Sequence, residues 1–269
     1  MRGSGFVASI RRSTSFSLGS VSVVGDLDQH FERLKWLEGE IERLAAEVQK
    51  YTDSEPIEVF SRMCFTRGYI TRIYRTRIRE QVPTSIKAHA GTIINEMRAI
   101  LDALACSLAQ RNGHKNVSGT YFPTGKTKAI FESNDVQKKI KKLGDQDKHT
   151  IAALEPYGGG NEMLYALHSS DIIRKHQRLI LVAGEVCSTV LGNDGSWVLD
   201  GGKLIYANLG PGVPLDKPIA ETAWDYELPI RQNAEIAFSE PPAIKSKPLI
   251  ATLKEFFGLV YSILELFNG

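Results

Sequence analysis

Cysteine is scarce in this sequence: Cys64, Cys106 and Cys187 are the three in 269 residues, they lie far apart, and they form no Cys-x-x-Cys pair. An odd, scattered set argues against a disulfide framework and a thiolate zinc site, and fits a reducing compartment. Long apolar runs are missing too. A spanning helix needs about 18 or more apolar residues, and the nearest approach, Leu249–Phe267, is interrupted by Lys254, Glu255 and Glu265. The expectation is a cytoplasmic protein with no membrane partner. Charge of one sign is not in excess either: 33 Lys and Arg against 31 Asp and Glu leave +2, so whole-chain charge points to neither nucleic acid nor membrane. The HExxH, GxSxG and dinucleotide fingerprints are absent, as is any Cys/His nucleophile pattern. Nothing in the sequence announces an enzyme, and no cofactor is expected.

What is present is ordinary globular material, 42% hydrophobic and 24% charged, long enough to bury a sizeable core. Residues 1–25 stand apart, with three arginines, seven serines and no acid before Asp26. They lack the compact apolar run of a secretory signal and read as a disordered extension. From there Leu27, Phe31, Leu34, Leu37, Ile41, Leu44 and Val48 recur every three or four residues, the stripe of an amphipathic helix. It should start near Asp26 or Asp28, both good N-caps, and reach Lys50. Residues 57–65 and 69–79, rich in Ile, Val, Phe and Tyr about Arg67-Gly68, read as a β-hairpin. A second long helix opens at Pro83-Thr84-Ser85 and ends at Asn112-Gly113. Short helices follow near 134–143 and 145–154, then one at 162–176 capped by Asn161, with Met163, Leu164, Leu167 and Ile172 inward. Leu179–Ala183, Trp197–Leu199, Leu204–Tyr206, 224–230 and 234–239 read as strands, and Leu249–Phe267 as a closing helix.

These elements predict an α+β fold: two long amphipathic helices with an early β-hairpin, short helices, then a C-terminal antiparallel sheet and a closing helix. Residues 26–177 form the helical part with its hairpin. Residues 178–269 form the sheet and last helix, expected to pack on the first part.

Four patterns could carry chemistry. Gly125-Lys126-Thr127 looks like the end of a phosphate-binding loop, but the glycine required five places earlier is Thr120. Gly158-Gly159-Gly160 precedes a helix, where amides can hold an anion, though such glycines more often make only a turn. His168 and Asp171 stand i, i+3 with His176 nearby, a spacing open to metal binding or proton exchange; the plainer reading is an Asp171–Lys175 pair on the helix surface. Arg72, Arg75, Arg77 and Arg79 load the hairpin, the last three alternating onto one face, with Tyr69 and Tyr74 to stack on bases. A lysine cluster (Lys126, Lys128, Lys138, Lys139, Lys141, Lys142) joins them as a possible phosphate contact. Charges on an exposed strand also serve simply to block edge pairing.

The run Asn95-Glu96-Met97-Arg98-Ala99-Ile100-Leu101-Asp102-Ala103-Leu104-Ala105, followed by Phe122-Pro123, Leu154-Glu155-Pro156-Tyr157 and Arg174-Lys175-His176-Gln177-Arg178, resembles an uncharacterised group of bacterial proteins over residues 26–185. That group reads Asn-Leu-Arg-x-x-Leu-Asp-His, Phe-Pro-Ile, Leu-Gln-Pro-Tyr and Asp-Lys-His-Arg at these places; in the last motif this chain departs, with Arg174 in place of the acid and the final arginine displaced by one residue to Arg178. Its Arg-x-x-x-Asp-His is distantly similar to the arginine–histidine pair of HEPN ribonucleases, which act on the RNA backbone from helices paired across a dimer. Here the arginine is Arg98, but Ala103 stands at the histidine position, so the resemblance implies poor RNA cleavage or none. It leaves Arg98, Asp102 and His176 as catalytic candidates.

Three functions compete. The first is a non-catalytic binding or assembly protein, self-associating through its first, second or last helix, with its protein partner unspecified. The second is an RNA-binding or HEPN-like protein. The third is a metal-dependent enzyme around His168, Asp171 and His176.

Overall fold

Leu34, Leu37, Ile41 and Leu44 are buried on one face of a helix, and a 28-residue apolar helix lies antiparallel to it with thirteen buried positions. In the computed structural model, which describes residues 27–66, 68–176, 181–189, 204–207, 218–225, 227 and 231–268, these are α1 (Asp28–Asp53) and α2 (Thr84–Arg111). Leu27 takes the N-cap of α1 and makes no side-chain cap bond, so Asp28 is inside the first turn and not the cap; Asp26 lies outside the described residues. Polar contacts lock the pair. His89 of α2 lies between Glu47 at 3.1 Å and Glu40 at 3.0 Å on α1. Arg33 reaches Glu96 at 2.8 Å.

Strands β1 (Ile57–Thr66) and β2 (Tyr69–Ile78) form the hairpin between them. Its reversal uses Gly68 at φ +86°, a left-handed conformation that glycine reaches without a Cβ penalty. The short helices are α3 (Lys128–Phe131), α4 (Asn134–Gln137), which tightens into a 3-10 turn at Lys138–Ile140, and α5 (Asp145–Ala153). Then come α6 (Glu162–His176), β3 (Leu181–Thr189), β4 (Leu204–Ala207), β5 (Pro218–Ala223), β6 (Arg231–Phe238) and α7 (Leu249–Leu266). The molecule is α+β, with its early hairpin in place.

The strands are arranged differently from a separate C-terminal sheet. β5 pairs antiparallel with β2, giving a four-stranded sheet in the order β1-β2-β5-β4, while β3 and β6 form a two-stranded sheet. The fifth strand occupies Pro218–Ala223, and Trp224-Asp225 is already turn, so the strand expected at 224–230 does not begin there; 226 and 228–230 lie outside the described residues. The apolar signal of Trp224 fell beyond this strand, whose own pattern opens on a proline. Trp197–Leu199 and residues 179–180 lie outside the described residues, as do 1–26.

α7 docks on α1 and α2, with Lys254 reaching Glu42 of α1 at 2.8 Å. One core cluster joins Leu34 and Ile41, Ile93 and Leu104, Leu164 and Leu167, Ile236 and Phe238, and Phe256 and Val260. The helical stripes expected to mediate self-association are thus largely consumed inside one chain. Among the described residues no helix is long and apolar enough to cross a membrane.

Candidate functional site

Gly91, Asn95, Arg98 and Asp102 follow one another at spacings of four, three and four residues, so they line one stripe of α2. That stripe meets α6, which carries His168, Asp171 and Arg174 at spacings of three. Two sets of residues that looked unrelated in sequence therefore meet in one seam. Arg98 is its centre and is buried. Its Nη2 donates to the Phe122 carbonyl at 2.7 Å, and its Nε to His168 Nδ1 at 3.3 Å. Nη1 lies 2.7 Å from Asp102 Oδ1, in ion-pair contact. Asp102 Oδ1 accepts from the Phe122 amide at 2.9 Å. The i, i+4 pair thus clamps the backbone N–H and C=O of one residue, Phe122, whose ring is fully buried.

The second half of the seam repeats the device. Arg174 Nη2 donates to Asn95 Oδ1 at 2.7 Å and stands 3.4 Å from Asp171 Oδ1, so Asp171 pairs with Arg174; the side chain of Lys175, its expected partner, is outside the described residues. Gly91 makes room: a Cβ there would sit 2.9 Å from Arg174 Cδ. Burial pulls the Arg98 guanidinium below its ordinary range, and the charges of Asp102 and Asp171 push the other way. Because Nδ1 of His168 accepts from a guanidinium, its ring proton belongs on Nε2. Each assigned group of this seam already serves a protein partner. His176 ends α6, and its side chain lies outside the described residues. Among the described residues no three His, Cys, Asp or Glu side chains converge as a metal site would need, so His168 and Asp171 gain no third ligand there.

The glycine motifs resolve into packing. Thr127 caps α3, its Oγ1 accepting from the Ile130 amide at 3.3 Å. A Cβ on Gly125 would meet Phe131 N at 2.6 Å; the glycine is there for that approach and not for a phosphate. At α6 the chain fills its own anion position. Glu162 Oε1 accepts from Gly159 N at 2.6 Å and Asn161 Oδ1 from Leu164 N at 3.0 Å. Lys142 is also spent internally, donating to the carbonyls of Asn116 and Ser118 at 2.8 and 2.7 Å. Burial, aided by the charge of Asp102, holds the Cys106 thiol above its ordinary range, and its Sγ contacts Thr120 O at 3.6 Å, so it is a poor nucleophile.

The hairpin is the contrasting feature. Arg77 pairs with Glu58 at 2.8 Å and lies over the Phe60 ring, with Arg62 stacked there too. Arg72 reaches Glu227 at 3.6 Å and the Trp224 carbonyl at 3.5 Å. Arg75 is half-buried, and Arg79 lies past the strand end in the exposed turn, so the three alternating arginines do not form one open row. What the sequence reading passed over is the apolar end: Met63, Phe65, Tyr69 and Ile70 are 54%, 77%, 72% and 53% exposed, with Trp224 at 57%. The signal was available, since β-branched and aromatic residues continue to the turn without polar alternation, but it was absorbed as strand propensity. A separate groove of about 320 Å³ opens between the end of α1 and the start of α2, beside Lys50, Tyr51 and Glu80; none of the candidates above lines it.

No protein-family model, curated protein or solved structure matches the chain.

Proposed function

We propose that this is a non-catalytic cytoplasmic binding or assembly protein whose contact element is the β1–β2 hairpin. The observation that carries the reading is an inversion. The polar residues that a catalytic site would use, Arg98, Asp102, His168 and Asp171, hold the α2–α6 seam together, whereas Met63, Phe65, Tyr69 and Ile70 face solvent at the hairpin end. A cluster of exposed large apolar side chains is the usual mark of an interaction surface. Free thiols at Cys64 and Cys106 fit a reducing compartment. Membership of the uncharacterised bacterial group is part of the same reading: Asn95, Arg98, Asp102 and Phe122, among the residues that carry that resemblance, help to make the internal seam, so the likeness speaks for shared architecture.

A second reading has its own observation. Arg62 and Arg77 stack on Phe60, and Tyr69 is exposed farther along the hairpin, at its turn end; cations and an open ring along one strand pair suit single-stranded RNA by phosphate contact and stacking. Titration of labelled single-stranded RNA at low and physiological salt tests it. Under the first reading the RNA does not bind, and sedimentation shows an association that Phe65→Ser with Ile70→Ser abolishes. Salt-sensitive binding lost on changing Arg75, Arg77 and Arg79 to alanine supports the second. Turnover lost on single changes at Arg98, Asp102 or His168, with the fold retained, would sink both.

A further inference from the structure

β1 forms one edge of the four-stranded sheet, and among the described residues no strand pairs with its outer side. The direction of its free backbone groups follows from the ladder. Arg79 N donates to Pro56 O at 2.8 Å, and the register runs Glu58↔Arg77, Phe60↔Arg75 and Arg62↔Ile73. Hydrogen-bonded positions alternate in an antiparallel pair, so the even-numbered residues of β1 bond to β2. The N–H and C=O groups of Ile57, Val59, Ser61, Met63 and Phe65 therefore point outward, a ready template for another strand.

The side chains of Glu58, Phe60 and Arg62 share one face of that edge. Opposite charges stand two residues to either side of an aromatic ring, a pattern complementary to its own reversal. We propose that the β1 edge pairs antiparallel with the β1 edge of a second copy, Phe60 facing Phe60 across a two-fold axis and Glu58 of each copy opposite Arg62 of the other. The parity of the ladder allows this register: it sets Val59 against Ser61 and Ile57 against Met63, all residues whose backbone groups point outward. A slip of two residues removes both charge pairs. A slip of four sets Glu58 against Glu58 or Arg62 against Arg62, and opposed like charges are unfavourable. The charges that would protect an edge from indiscriminate pairing thereby select one partner. Arg77, already 2.8 Å from Glu58, holds that carboxylate on the shared face. The contact is isologous and closes on itself, joining four strands and four into one sheet of eight.

This pairing rests on the hairpin being the contact element and names its partner. The test is sedimentation velocity on the full chain over a wide concentration range, alongside Ser61→Pro. That change removes an N–H pointing away from β2, so the internal ladder survives; proline is tolerated at such edges. The expected result is a wild-type dimer, and a Ser61→Pro monomer with wild-type melting. Glu58→Arg should dissociate the dimer, and Glu58→Arg combined with Arg62→Glu should restore it. In a Cys64→Ser background, Phe60→Cys should oxidise to a linked dimer and Ser61→Cys should not. A dimer that Ser61→Pro leaves intact, or a link formed by Cys at 61 in place of 60, overturns the proposal. A wild-type monomer that binds RNA through the hairpin overturns the pairing and replaces the first reading with the second, the hairpin remaining the contact element; a chain that does neither overturns both.

Discussion

The α2–α6 seam and the end of the β1–β2 hairpin distribute polarity in opposite ways. In the seam, charged groups are buried and matched: Arg98 meets Asp102, His168 and the Phe122 carbonyl, and Arg174 meets Asn95 and Asp171. At the hairpin end, aromatic and aliphatic side chains are open to water. Burying an ion without partners costs several kcal/mol, so a buried charge survives only where its surroundings supply them. Exposed apolar side chains carry no such structural requirement, and clustered ones do nothing for the fold of an isolated chain. The difference teaches where to look for function. In this molecule the chemically suggestive residues answer to stability, and the bland ones are free to answer to a partner.

Arg98→Ala breaks the comparison most directly. It strands the Phe122 carbonyl and leaves Asp102 without its cation, a loss of about 3–5 kcal/mol. For a chain of this size the melting temperature should fall by about 10 °C, read by thermal denaturation. Unchanged melting with a lost activity would identify Arg98 as a functional arginine and dissolve the contrast.

Gly91→Ala is a gentler probe of the same seam. Its methyl would press on the Arg174 stem at 2.9 Å, for an expected loss of about 1–3 kcal/mol, the usual range for overpacking. Coupled residues are non-additive, so the same change in an Arg174→Ala background should cost clearly less. Equal costs in the two backgrounds would mean that α2 and α6 do not press together at this point.

Much of this was legible beforehand because it is local. Helical periodicity placed α2 and α6, the paired apolar runs placed the hairpin, and Asn161 announced its cap. The seam was not legible as a unit. Arg98 with Asp102, and His168 with Asp171, each show a helical spacing, but 70 residues separate Arg98 from His168 and no local pattern states that two faces will meet. The partner of Arg98 that completes the clamp is a backbone carbonyl, which leaves no trace in residue type. The sheet was half-read for the same reason: the pairing of β2 with β5 joins distant segments, and a strand opening on Pro218 does not look like one. Ile172 was expected inward from its apolar character, yet it is 43% exposed; the seam takes Asp171 and Arg174 instead, and Ile172 lies off that stripe.

At the base of the hairpin the two regimes meet in one group. Tyr51, in the last turn of α1, donates its hydroxyl to the Glu80 carbonyl at 2.7 Å. Burial, and secondarily the charge of Glu80, pushes its pKa up to about 12. An unfolded tyrosine ionises near 10, so the folded chain holds this proton more tightly. The contribution is complete below about pH 10 and is lost as pH rises through about 12. Tyr51→Phe should lose about 1 kcal/mol at neutral pH with its hydrogen bond and show a shallower alkaline decline, read from denaturant midpoints at each pH. Tyr157, whose pKa is also raised, should keep the slope from vanishing. An unchanged slope would show that Tyr51 is not sealed beneath the hairpin.

The smallest stability effect belongs to the hairpin end, and it is the sharpest test of the contrast. Phe65→Ser with Ile70→Ser replaces two cross-strand neighbours that are 77% and 53% exposed. Surface changes away from caps and networks usually stay within about 0.5 kcal/mol, so melting should hold. Loss of two strand-forming side chains pulls slightly down, and removal of exposed apolar area from the folded surface pulls nothing back. Association measured by sedimentation should nevertheless weaken, because the same area is what a partner would cover. A fall in stability as large as that of Arg98→Ala would mean that these side chains are packed within the chain, and the hairpin would then belong to the same regime as the seam.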